Sequence, residues 1–135
     1  VANPVSPDRL AARPNATAGV LVQNGAFGTV IGGDTAAARN VISGNAGVGI
    51  RVTGANGTTI LGNYIGVDEG GLDALGNTGD GIDITGGATT TSIGDVTLLA
   101  GTGRGNVISG NGGQGIDIGG AADGVEIAGN IIGLD

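Results

Sequence analysis

Few residues in this chain could do chemistry. It has no His, Cys or Lys, and its charged side chains are 12 Asp or Glu and 5 Arg. Two acids, Asp83 and Asp117, hold the same place in two copies of "GIDI" (81–84 and 115–118). Alternation along a strand puts both on one face, one unit apart. Carboxylates so placed could act as acid and base or hold a calcium ion. The matching position in "GIRV" (49–52) is Arg51, so the face reads Leu21, Arg51, Asp83, Asp117. An ion pair between Arg51 and Asp83 is the simpler reading. With neither Lys nor His to act as a base, we read the chain as a non-enzyme with no catalytic residue and no bound cofactor. "GGQGIDIGG" (112–120) opens like a calcium-binding nonapeptide repeat. It carries Gly119 where an apolar residue belongs and is not tandem. One structural calcium ion beside Asp117 or Asp123 is the most it allows.

Three other residue sets could bind something. Tyr64 could stack on a sugar ring, but its place in the repeat is apolar, which favours core or rim packing. The threonines of "ATTTS" (88–92), with Thr58 and Thr59, could form a flat ice-binding face; the first unit offers only Thr29 and the last none. Asn45, Asn63, Asn77, Asn111 and Asn130 each follow a Gly at a strand end. Asn tolerates left-handed backbone, and its amide bonds to turn backbone. Stacked copies can form amide ladders. These five are read as a structural turn ladder.

What must position such residues is a repeated scaffold. Gly is 32 of 135 residues, far above the usual ~7%, and the apolar residues are almost all Val, Ile, Leu and Ala, with one Tyr and one Phe. Side chains of that size fill a thin core rather than a wide one. The net charge of −7, without a basic cluster, argues against nucleic acid or an anionic membrane as partner. No apolar run reaches the ~18 residues a membrane span needs. The chain opens on Val with no basic-then-apolar leader, which reads as a processed chain or a piece of a longer one.

The chain repeats itself. An offset of 62 aligns Asn15 with Asn77 and Gly19 with Gly81; after the longer loop "TLLAGTGRG" the offset becomes 66 and "NVISGN" (40–45) meets "NVISGN" (106–111). Within this lies a shorter period. "GVLV", "GIRV", "GIDI" and "GIDI" begin at 19, 49, 81 and 115, and a second and a third short apolar segment follow each. Period-two alternation over three or four residues marks strands. An antiparallel sandwich could use the Asn24-Gly25 and Asn56-Gly57 turns, but it leaves the common phase unexplained. We therefore expect an all-β chain: a parallel β-solenoid of about four rungs, three short strands each. Residues 1–18 form a linking loop, and the units are 19–48, 49–80, 81–114 and 115–135. Val20, Ile50, Ile82 and Ile116 should stack inside, as should Val22, Val52, Ile84 and Ile118.

"NVISGN", "GIRVTGANGTTILGNYIGVD" and "ALGNTGDGIDI" resemble the right-handed parallel β-helix repeat family over roughly residues 10–135. The resemblance implies a right-handed coil. It leaves activity open, since polysaccharide lyases and hydrolases, tailspikes and bacterial surface proteins share the fold. Gly- and Asn-rich members are mostly parts of extracellular bacterial proteins. It implies an extracellular or cell-surface location and polysaccharide as an alternative partner.

A solenoid of four rungs, about 19 Å tall, leaves strand edges at both ends that recruit other strands. The sequence 8–22 aligns with 70–84, so the phase at Asp135 runs back into the start. We therefore expect head-to-tail stacking, or continuation in a tandem array, as a fibre, stalk or matrix filament. The expected end interface is Val20, Val22, Ile116, Ile118, Ile127, Ile131, Ile132 and Leu134. A carbohydrate-binding or polysaccharide-cleaving fragment is the first alternative, an ice-binding solenoid the second.

Overall fold

The computed structural model describes residues 14–133. Leu134 and most of the linking segment lie outside them. Twelve strands run β1 (Ala18–Gln23), β2 (Val30–Gly32), β3 (Val41–Ile42), β4 (Val48–Thr53), β5 (Thr59–Leu61), β6 (Tyr64–Ile65), β7 (Ile82–Thr85), β8 (Ser92–Gly94), β9 (Val107–Ile108), β10 (Ile116–Ile118), β11 (Glu126–Ala128) and β12 (Ile131–Ile132). They form three four-stranded sheets, ordered β1-β4-β7-β10, β2-β5-β8-β11 and β3-β6-β9-β12. Every strand pair is parallel. The chain therefore visits the sheets in rotation, as a β-solenoid. It makes about three full turns, with β10–β12 on a further, incomplete one, slightly fewer than the four rungs expected.

The register of the first sheet follows the Gly-Ile phase. Val20, Ile50, Ile82 and Ile116 pair in succession, as do Val22, Val52, Ile84 and Ile118. In the second sheet Ile31, Ile60, Ile93 and Ile127 stack; in the third, Ile42, Ile65, Ile108 and Ile132. These ladders meet in one thin core of Ile, Val and Ala, the size that the aliphatic composition predicts. The "NG" dipeptides turn between sheets and not within a hairpin. Asn24 and Gly25 both adopt positive φ, and Gly25 N–H donates to Gly54 O one coil away (2.8 Å).

Glycine is required where one coil rests on the next. A Cβ on Gly81 would stand 2.6 Å from both Gly115 O and Ile108 Cγ2, and 2.9 Å from Asn111 Nδ2. No larger residue fits at the foot of that strand without moving backbone.

The two ends of the core differ. On the first coil Val22, Ile31 and Ile42 are buried, whereas their last-coil counterparts Ile118, Ile127 and Ile132 are 44%, 45% and 48% exposed. Two expected interface residues are thus placed otherwise. Val22 lies inside the core, and Ile131 points to the outer face of the third sheet, where a Cβ on Gly101 of the 95–105 loop would stand 2.7 Å from its Cδ1. Among the described residues no helix is long and apolar enough to cross a membrane.

Position along a ladder should set the cost of truncation. Ile60, wholly buried, should lose about 2–5 kcal/mol on change to Ala. Ile127, in the same ladder but half open, should lose clearly less. Urea unfolding of both variants checks this; equal losses would mean that the last coil is as well covered as the second.

Candidate functional site

The Asn residues form two ladders, not one, and they flank the third sheet. One runs Asn15, Asn45, Asn77, Asn111 at the bend between the third and first sheets. The other runs Asn40, Asn63, Asn106, Asn130 at the bend between the second and third. Of the five expected residues, Asn45, Asn77 and Asn111 belong to the first ladder, and Asn63 and Asn130 to the second. Asn15, Asn40 and Asn106 complete them. Asn40 and Asn106 open the two "NVISGN" copies, and the repeated "N-x-I" triplet at 40, 63, 106 and 130 was the available signal. At the third bend, between the first and second sheets, small residues replace the amides: Ala55 and Ala88 are buried there.

The inner rungs, at Asn63, Asn77 and Asn106, use the same three bonds. Asn63 donates its backbone N–H (2.9 Å) and its Nδ2 (3.1 Å) to Asn106 Oδ1, and its other Nδ2 hydrogen to Ile31 O (2.9 Å). Asn106 repeats this toward Asn130 Oδ1 (2.9 and 2.8 Å) and Ile60 O (2.9 Å). A backbone N–H can only donate, so its partner atom must be the amide oxygen. That fixes every side-chain orientation, and all the amides point the same way along the axis. Asn63, Asn77 and Asn106 are almost wholly buried, so each amide depends on its own equivalents one coil away. Gly44, Gly62, Gly110 and Gly129, directly before ladder residues, hold left-handed φ between 65° and 70°, which turns the chain into the bend at no steric cost.

The acid face is in register as expected: Leu21, Arg51, Asp83 and Asp117 pair in succession. Arg51 Nε donates to Asp83 Oδ2 at 2.7 Å, so that carboxylate is engaged in an ion pair. Asp117 stacks beside it. Asp123 lies on another bend and accepts Gly124 N–H (2.9 Å). Among the described residues no three acidic side chains gather to hold a metal. Two of the threonines lie inside: Thr58 and Thr91 are fully buried, their hydroxyls without partners, while Thr59, Thr89 and Thr90 are half-buried or exposed. Tyr64 lies on the outer face of the third sheet with Arg39 4.0 Å above its ring, a cation–π pair that closes that ring face to a sugar. A Cβ on Gly71 would stand 2.7 Å from the same ring.

The inserted loop 95–105 walls a groove of about 330 Å3 over the second sheet, lined by Thr59, Ser92, Asp95, Arg104 and Glu126 among others. Arg104 Nη1 bonds Asp95 Oδ2 at 2.7 Å. The bonded guanidinium, then Val96 N–H, holds the Asp95 carboxyl below its ordinary value. Asp68 organises the other long loop. Its Oδ1 accepts Leu72 and Asp73 N–H (3.1 and 3.2 Å), which lowers its pKa from 3.8.

The chain matches no family model, no curated protein and no solved structure. Its geometry alone therefore bears on function.

Two outcomes follow. Asn106→Ala removes the acceptor of the Asn63 N–H and Nδ2 and the amide donor to Ile60 O, at about 1–3 kcal/mol for each buried group left unpaired, while the backbone N–H of residue 106 still reaches Asn130 Oδ1. Thermal unfolding should show a far larger loss than for Asn15→Ala at the exposed end, and equal losses would count against the ladder. Asp68 has a depressed pKa when folded, so its contribution is present above the unfolded value and lost as pH falls through the folded one. Leu72 and Asp73 amide signals should move together below pH 3.8. Asp68→Asn should abolish that titration; its persistence would assign the proton elsewhere.

Proposed function

We propose that the chain is a structural protein, a solenoid segment whose coils stack or continue head to tail into a fibre, stalk or matrix filament. The observation that carries this is the uncovered last coil. Ile93 and Ile108 are fully buried, while Ile127 and Ile132, their equivalents one coil on, stand half exposed beside free strand edges. Another coil of the same kind would satisfy the apolar ladders, the strand edge and both amide ladders together. The sequence phase from the last coil into residues 8–22 supports the same reading. An acidic, cysteine-free, Gly- and Asn-rich solenoid suits an extracellular or bacterial surface setting, where such a fibre would act as a spacer or scaffold. Its partner is itself.

One observation favours a second reading. The groove over the second sheet offers hydroxyls, carboxylates and a guanidinium, groups that hydrogen-bond sugars. On that reading the chain binds polysaccharide, and binding to an acidic polysaccharide with added calcium, lost on Arg104→Ala, would favour it.

Sedimentation across a wide concentration range, with electron microscopy of the densest sample, tests the first reading. Growth into unbranched rods one solenoid wide is expected. A single monomeric species at every concentration, unchanged when a second copy is fused after Asp135, would overturn it.

A further inference from the structure

The two ends of the solenoid carry opposite hydrogen-bonding chemistry. Every side-chain link in both amide ladders runs the same way, from the N–H and Nδ2 of one coil to the Oδ1 of the next. At the first coil the Asn15 and Asn40 side chains only donate; their Oδ1 atoms accept nothing among the described residues, and both residues are exposed. At the last coil Asn111 and Asn130 accept from the coil before, and their backbone N–H groups find no acceptor among the described residues. One Nδ2 hydrogen of each still bonds the coil before, at Ile65 O (3.2 Å) and Ile93 O (2.7 Å); the other, which elsewhere reaches the next coil, folds back onto Ser109 O (3.2 Å) and Ala128 O (3.0 Å).

From this polarity we infer that a second copy of this chain docks on the last coil in one orientation only, with Asn111 against its Asn15 and Asn130 against its Asn40. This rests on the head-to-tail reading above and adds its chemistry. The same coil-on-coil step that joins Asn106 to Asn130 brings the half-exposed Ile127 and Ile132 against the first coil of the incoming copy, whose own Ile31 and Ile42 are already buried. A recess of about 410 Å3 on the first coil is bordered by both acceptors, Asn15 and Asn40, with Val41 and Ile42 between them. Two first coils meeting would set acceptor against acceptor, and two last coils donor against donor, each leaving polar groups unpaired at a closing interface. The contact is heterologous and does not close, so it propagates in one dimension.

Two variants separate the ends. Asn15→Leu with Asn40→Leu removes the acceptors of the first coil. Ile118→Lys with Ile127→Lys puts charge on the open face of the last coil. All four sites are exposed, and circular dichroism confirms that each variant folds; alanine at 15 and 40 repeats the test with smaller side chains. Light scattering after size exclusion then reads assembly. Each variant alone should be a monomer, and their equimolar mixture should give a dimer and nothing larger, while the unaltered chain grows further. If either variant alone dimerises through its intact end, or the mixture stays monomeric while the unaltered chain assembles, the polarity is wrong and the head-to-tail function survives only in its general form. If the unaltered chain stays monomeric, both fail.

Discussion

A buried amide satisfied by the coils directly above and below it, through its own copy on one side and a strand carbonyl on the other, governs how this solenoid is built. Strands stacked about 4.8 Å apart leave no room for water between coils. A buried amide at a bend is therefore satisfied by what lies above and below it. Asn meets that demand with one acceptor and two donors, and its backbone N–H adds a third donor directed at the same oxygen. The requirement then spreads. Every coil must place an Asn at the same point, each Asn needs a turn before it, and the strands between bends must hold constant phase. The third bend carries no amide ladder: alanine fills it at Ala55 and Ala88, beside the buried hydroxyls of Thr58 and Thr91.

The aliphatic core follows from the same stacking. Each inward position meets its equivalent, so Ile on Ile or Val on Ile gives continuous contact without aromatic volume. Loops are free to vary because they lie outside the stack. The loops 68–74 and 95–105 differ in length between the repeat copies and carry the exposed apolar residues Leu72, Val96, Leu98 and Leu99. The groove over the second sheet arises from one such loop folding beside it, so it is a feature of one coil and not of the repeat.

Much of this is legible in the sequence, and the exceptions have physical causes. The Gly-Ile-x-Ile motif fixes both inner ladders of the first sheet and the outer row from Leu21 to Asp117, because three or four alternating residues define which face is inside. The third sheet has strands of two residues, too short for alternation to choose a face. That is why Ile131 reads as an end residue when it is an outward one beneath a loop. The five Gly-Asn pairs look alike, so their division into two ladders depends on which bend each occupies, a property of the closed coil. Burial of Thr58 and Thr91 is equally invisible, since β-propensity is indifferent to side. Val22 reads as a free end from its first-coil position, but burial at an end depends on the whole surface around it.

On the proposed head-to-tail reading, coils continue from one chain to the next along the solenoid axis, with the amide ladders unbroken across the junction. X-ray diffraction from aligned, concentrated assemblies tests it most directly. Head-to-tail growth gives a reflection near 4.8 Å along the direction of growth, because every coil, within a chain and across junctions, is spaced along that axis. A 4.8 Å reflection perpendicular to the growth direction would show chains joining side by side through their outer faces, and would contradict it.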